Sequence, residues 1–359
     1  MRTFAPWKKW LMLNRAFYNY MQDLEGFKSF LSSPKKGVII PHAKPDGDAL
    51  GSCLAWYHFL LKKGHEVKVI SPTDYPAFLK WMKGQDEVLV YEDGGEAEAE
   101  KLVQEAEVVY CLDFNDLKRI NGLGELVEKC TAKKVMVDHH QEPTDFADFT
   151  FSDTSYAATC EMIYELIVEL DGRDLVDKDM AEELYAGIMT DTGGFKHSNT
   201  TKKTHTITAD LIDLKADTAK IGKYIYDANS LDRLRFLGFA LSQRLLVLPE
   251  YRTAFFAITA EDLKKFNEQT GDTEGFVNYA LSMREIVFAA MIIQRKDGIK
   301  MSFRSKGTFD ASVFAKANFN GGGHKNAAGG ISDLEDIEGT VEKFTNLLPA
   351  YKEELLNAN

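Results

Sequence analysis

Short apolar runs alternate with longer stretches of helical spacing through the first half of the chain. Gly37-Val-Ile-Ile40, Glu66-Val-Lys-Val-Ile70, Val108-Val-Tyr-Cys-Leu-Asp113 and Lys134-Val-Met-Val-Asp138 read as strands. Residues 48–63, 96–106 and 117–129 read as helices, the first stopped by Gly64. Strands alternating with helices predict an α/β fold with a doubly wound, mostly parallel sheet. Two more helices follow, at about 157–170 and 178–190. The first has Asp153, Thr154 and Ser155 as candidate caps, and the second ends at Asp191-Thr-Gly-Gly194.

From Thr200 to about Phe239 the pattern is polar and helical, as in a connector. Strand character returns at 245–248, 252–258, 285–294 and 298–304, with helices at 273–282 and about 310–317. Arg295-Lys-Asp-Gly298 is a hairpin turn signal. This second block predicts a smaller C-terminal α/β domain. The expected divisions are an N-terminal extension at 1–24, a metal-binding catalytic domain at 25–205, a connector at 206–239, a substrate-binding domain at 240–345 and a tail at 346–359. No internal repeat or low-complexity tract is visible.

Composition narrows the function. A length of 359 residues suits two domains, and 45% apolar content is ample for their cores. Against 43 Lys and Arg stand 55 Asp and Glu, a net charge of −12. Long duplex nucleic acid needs a broad basic surface and is not expected as a partner; a short anion needs only a local pocket. Cys53, Cys111, Cys130 and Cys160 form no C-x-x-C pair, which suggests a reduced, cytoplasmic protein. No apolar run approaches the roughly 20 residues of a membrane span, so no membrane partner is expected. The basic, aromatic N-terminus (Trp7, Lys8, Lys9, Trp10, Arg15, Phe17, Tyr18) lacks a signal-peptide core. It reads as an extension or a helix packed on the domain, with a membrane-surface helix as the alternative.

The first strand runs directly into His42-Ala-Lys-Pro-Asp46-Gly-Asp48. One imidazole and two carboxylates therefore crowd a sharp turn at a strand's carboxyl end, where open α/β sheets place their ligands. Such mixed O and N donors suit divalent metals. Asp113, Asp138-His139-His140 and Asp191 close other strands or a helix. Each alone reads as a cap, turn or core residue. Their weight comes from the strand-end groups sharing one edge of one parallel sheet.

PHAKPDGDALGS, LDFND, VDHH and MTDTGGF resemble, in order, the four motifs of the DHH phosphoesterase superfamily. GGGHKNAAGG at 321–330 resembles the signature of its DHHA1 C-terminal domain. The resemblance runs from about 25 to 345, and the compact length is similar to the NrnA-like branch of nano-RNases and pAp phosphatases. It implies a DHH domain and a smaller DHHA1 domain with a cleft between them. It implies that His42 and Asp46 bind one metal, that Asp48 and His139 bind a second, that Asp113 bridges the two, and that Asp191 serves the pair. Asp138 would orient a histidine, and His140 would touch the transition state or donate a proton. The implied cofactors are two Mn²⁺, with Mg²⁺ or another divalent ion as alternatives. Two such ions would balance the charges of Asp46, Asp48, Asp113 and Asp191 and supply a bridging hydroxide for in-line attack on phosphorus.

Arg304 and His324 match the positions that grip substrate in the second domain, with Gly322, Gly323, Ser305 and Asn326 beside them. A glycine run alone reads as a tight strand-to-helix turn, and Phe303 and Phe319 read as core before base-stacking platforms. Lys196 stands where many relatives carry Arg, which keeps charge but loses bidentate geometry. The expected activity is cleavage of very short RNA oligonucleotides and dephosphorylation of pAp. The alternative is a phosphodiesterase on cyclic dinucleotides or linear products such as pApA and pGpG. Length and acidity disfavour a RecJ-type exonuclease, and the DHHA1-like segment disfavours a family II pyrophosphatase. A non-catalytic nucleotide sensor would have lost metal residues, and none is missing. A homodimer is compatible with the sequence.

Overall fold

The structure is a computed structural model and describes residues 24–358. The expected N-terminal extension lies outside the described residues, apart from Leu24. The chain forms two compact units that meet in sequence at Ala228 and Asn229.

The first unit opens with α1 (Leu24–Phe30), β1 (Lys36–Ile40), α2 (Gly47–Lys62), β2 (Glu66–Ser71), β3 (Leu89–Val90), α3 (Glu96–Glu105) and β4 (Val108–Leu112). It continues with α4 (Leu123–Lys129), β5 (Lys133–Asp138), β6 (Phe149–Ser152), α5 (Thr159–Glu169), α6 (Lys178–Asp191), α7 (Lys202–Asp213) and α8 (Thr218–Tyr226). The strands lie in the order β3-β2-β1-β4-β5-β6, and every pairing is parallel. Val38, Ile40, Val109 and Cys111 face one apolar core with α3 and α4; Ile39, Tyr110 and Leu112 face another with α2, α5 and α6. Both faces are thus covered, as the near-continuous apolar strands require. The order reverses between β1 and β4, and ligand crevices of doubly wound sheets open at that switch point.

Three local readings need correction. β3 and β6 extend the sheet beyond the four expected strands; β3 has only two residues and β6 reads Phe-Thr-Phe-Ser. The helix expected at 117–129 breaks after a 3₁₀ turn at Leu117–Ile120, because Asn121 adopts φ 50° and ends it. Finally, α5 begins at Thr159 behind Ala158, which offers no side-chain cap. Asp153, Thr154 and Ser155 lie too far upstream to serve it.

Helices α2 and α6 cross at glycines. A Cβ on Gly51 would lie 2.5 Å from the carbonyl oxygen of Glu183. One on Gly187 would lie 2.3 Å from Cys160 Sγ and 2.9 Å from the Cα of Asp48. Only hydrogen at both places lets the backbones close. This contact brings the start of α2 against the end of α6.

The second unit holds α9 (Leu231–Phe239), β7 (Leu245–Leu248), β8 (Thr253–Ile258), α10 (Ala260–Lys265), α11 (Phe276–Leu281), β9 (Phe288–Arg295) and β10 (Gly298–Ser305). Then come α12 (Ala311–Asn318), β11 (Gly322–His324), β12 (Ala327–Ile331), α13 (Ile337–Leu347) and α14 (Lys352–Asn357). Its mixed sheet runs β11-β12-β10-β9-β8-β7, with only β8 and β9 parallel. Lys296 and Asp297 make the hairpin turn between β9 and β10, as expected. The expected tail is helical and packed instead: Leu355 and Ala358 are buried, and Arg252 Nη1 donates to the carbonyl of Ala358 at 2.9 Å. All four cysteines are free thiols. Among the described residues no helix is long and apolar enough to cross a membrane.

Candidate metal centre

Asp46 is the N-cap of α2, and its Oδ1 accepts from the amides of Asp48 and Ala49, each at 3.0 Å. That leaves Oδ2 turned toward His42 Nε2, 3.9 Å away. Across the switch point, Asp113 follows β4 with φ 65°, an uncommon backbone state that Asp tolerates better than most residues. Its amide donates to Val137 at 3.0 Å, which ties the turn to β5. Departures from the common backbone regions cluster at functional sites. Lys44 and Phe195, in the loops after β1 and α6, share this left-handed conformation.

Asp113 stands between two groups. Its Oδ2 lies 3.4 Å from His42 Nε2, completing a set with Asp46. Its Oδ1 lies 3.5 Å from His139 Nε2, which also faces Asp191 at 3.3 Å and Asp48 at 3.8 Å. Two donors each about 2.1 Å from a shared ion would sit roughly 3.0–3.4 Å apart, for right-angled to tetrahedral geometry. The side chains therefore need little movement to close on a cation. All six sequence-selected ligand candidates come together here.

The histidine tautomers follow from backbone acceptors. His42 Nδ1 is 2.9 Å from the Ala43 carbonyl, and His139 Nδ1 is 3.2 Å from that of Tyr156. A carbonyl only accepts, so Nδ1 carries hydrogen in both rings and Nε2 faces the carboxylates. This is the usual arrangement behind a metal-ligating imidazole. Asp138 turns to the third ring: its Oδ1 accepts from His140 Nδ1 at 2.7 Å and its Oδ2 from the His140 amide at 2.9 Å.

One part of the site was not visible in the sequence. Both oxygens of Asp48 accept from the start of α5, from Thr159 N at 2.6 Å and Cys160 N at 2.8 Å. The helix lacks a local cap because this carboxylate, 111 residues upstream, supplies it. The Thr159 hydroxyl donates to Asp113 Oδ1 at 2.9 Å. Arg119 adds a positive charge that opposes protonation of His42, and its carbonyl accepts from the Ala43 amide at 2.8 Å. Thr159 lies in the first turn of an apolar helix, and no local sequence signal marks its place in the site.

Electrostatics show what charge the cluster favours. Burial, then the charges of Asp113 and Asp191, drives the Asp48 carboxyl well above its ordinary range. Burial and the Asp46 charge push Asp191 up to about 6, against the pull of His139. Burial also works on Asp113, but hydrogen bonding to His42 and the charges of His140, His42 and His139 hold it far below. Burial disfavours charge on His42 and His139, yet their facing carboxylates raise both. Carboxylates crowded in this way favour positive charge beside them. Divalent ions would supply that charge, and the mixed carboxylate and imidazole donors fit them.

In the second unit, Arg304 pairs with Ala327, which pairs with His324; Ser302, Gly329 and Gly322 form the next such row. Directly opposed residues share a sheet face. Arg304 and His324 thus flank a floor of glycine and alanine. The glycine run is a β-hairpin strand, not a strand-to-helix turn. Gly323 has φ 141°, and a Cβ there would lie 2.6 Å from the Ala327 carbonyl oxygen, whereas Gly322 faces open space. Ser305 corrects the sequence reading: it is only 5% exposed, its hydroxyl donates to Phe309 O at 2.8 Å and accepts from Asn326 Nδ2 at 2.9 Å. That bond commits both polar side chains to each other. Phe303 and Phe319 are core. Lys196 is exposed in the loop after α6.

This combination defines an α/β protein with a carboxylate and imidazole cluster that could hold metal ions. The chain belongs to the DHH phosphoesterase family: the DHH family N-terminal domain matches residues 36–188, and the DHHA1 domain matches 253–352. It is 30% identical over 323 residues to the bifunctional oligoribonuclease and PAP phosphatase NrnA of Thermus thermophilus, covering 89% of this chain and 90% of that one. To the protein of the same description in Bacillus subtilis it is 28% identical, covering 81% and 88%. An exopolyphosphatase-related protein from Bacteroides fragilis superposes with a TM-score of 0.87 at 38% identity, covering 93% of this chain and 97% of that one.

Proposed function

We propose that the protein is a Mn²⁺-dependent phosphohydrolase that cleaves very short oligoribonucleotides and dephosphorylates pAp. The observation that carries the metal reading is Asp113, whose two oxygens face two different histidines at 3.4 and 3.5 Å. One carboxylate so placed suits a bridge between two cations. His42 and Asp46 would hold one ion; Asp48, His139 and Asp191 would hold the other. Bound there, a divalent pair would activate water and stabilise charge developing on a phosphoryl group.

The chain's own residues do the rest. Asp138 accepts the Nδ1 proton of His140 and so fixes the ring's tautomer. In the doubly protonated ring, whose charge Asp138 would balance, His140 Nε2 would be the atom that passes a proton to the leaving oxygen. Arg304 and His324, with the open glycine position at Gly322, would bind the substrate's phosphates. Lys196 would add a further cation. The NrnA relatives' described activities support the choice of short RNA and pAp.

The test is turnover of 5′-labelled diribonucleotides, pAp, pApA, pGpG and cyclic di-AMP with Mn²⁺, with Mg²⁺ and with no metal. Turnover of diribonucleotides and pAp with Mn²⁺, abolished by Asp113→Ala, is expected. Full activity in that variant would overturn the bridging assignment. Preference for cyclic di-AMP, pApA or pGpG would overturn the substrate assignment.

A further inference from the structure

Three of the six proposed ligands are held by one short segment. Tyr156 accepts through its carbonyl from His139 Nδ1 at 3.2 Å. Thr159 and Cys160 donate their amides to the two oxygens of Asp48. The Thr159 hydroxyl reaches Oδ1 of Asp113 at 2.9 Å. Thr159 is fully buried, at 0% exposure, and touches two of the carboxylates through its amide and its hydroxyl.

We propose that Thr159 is a positioning residue for the metal pair, a role that rests on the dinuclear reading above. An ionised carboxylate only accepts, so the hydroxyl donates to Asp113 and occupies one lone pair of Oδ1. The terminal torsion of an Asp side chain is broad and nearly two-fold, so packing alone would define it poorly. The hydrogen bond selects the rotation in which Oδ1 serves the Asp48, His139 and Asp191 side while Oδ2 serves His42 and Asp46. Without it, only the looser contacts to His42 and His139, at 3.4 and 3.5 Å, hold that rotation, and the bridge is weakened.

The backbone bonds to Asp48 allow a clean test, because they do not depend on the side chain at 159. Full-length wild type, Thr159→Val and Thr159→Ser are titrated with Mn²⁺ by calorimetry, and the bound ions are observed by electron paramagnetic resonance. Wild type is expected to bind two ions with a spectrum of coupled manganese. Thr159→Val, which keeps the shape and removes the donor, should bind the second ion about 10–100-fold more weakly and lose the coupled signal. Thr159→Ser, which keeps the donor, should restore both. If valine prevents folding, Thr159→Ala against Thr159→Ser reads the same hydroxyl. Wild-type affinity and coupling in the valine variant would overturn the proposal, as would serine falling as far as valine. A wild type without paired manganese would overturn the dinuclear reading together with it, so the two failures are distinct.

Discussion

Glu183→Gln should make the protein more stable at alkaline pH. Glu183 lies in α6 with no exposed surface, and its Oε1 is 3.3 Å from His58 Nε2 on α2. Burial raises the carboxyl from its ordinary 4.5 to about 7; His58 pulls it down, while Asp179 and Asp177 push it further up. Lys83 holds Asp179 at 2.6 Å and Lys62 holds Asp177 at 2.6 Å, which tempers that push. His58 is itself raised, through Glu183 and the Lys83 carbonyl, although burial and the Lys83 charge oppose this.

For both groups the folded pKa exceeds the unfolded one. Their contribution to stability is complete at low pH and is lost as pH rises, from about 4.5 through about 7 for Glu183. At about 1.4 kcal/mol per pH unit the Glu183 share is about 3 kcal/mol. Glutamine cannot ionise, so the variant's advantage over wild type should grow across that window. Urea denaturation of both proteins at a series of pH values between 5 and 9 measures it. A difference that stays flat with pH, or narrows as pH rises, would refute the reasoning.

Two further variants have defined outcomes. Gly187→Ala should destabilise the fold despite its better helix propensity: overpacking costs about 1–3 kcal/mol against a gain of at most about 1 kcal/mol, and thermal melting reads the net loss. Its Mn²⁺ affinity should fall as well, because the new methyl would press on the backbone of Asp48. Asp138→Asn should lower kcat, by up to about 10²–10⁴-fold, while leaving Mn²⁺ binding intact. Loss of metal affinity would instead make Asp138 a ligand.

The strands that carry the ligands were legible because each is a short apolar run closed by an acid or imidazole. The meeting of His42 with Asp113 follows once β1 and β4 are neighbours, and that adjacency belongs to the parallel topology. What the sequence hid was long-range. The cap of α5 comes from Asp48 and not from any residue near 155, so a local search for caps had nothing to find. Thr159 falls inside the helix expected at about 157–170, and nothing in the local pattern singles it out. In the second unit, Ser305 and Asn326 drew attention by standing beside Arg304 and His324. Strand alternation, however, turns Ser305 away from Arg304 and into the interior, where Asn326 satisfies it.

The Cys160 sulfur fills the space that a side chain at Gly187 would need, directly beneath Asp48. Burial, then the charge of Asp48, keeps this thiol protonated far beyond neutrality. Peroxide attacks thiolates, and even one added oxygen would have to wedge the two helices apart. Burial and protonation together should make Cys160 slow to oxidise while the fold is closed. Its oxidation would require the packing of Cys160 against Gly51 and Gly187 to open first.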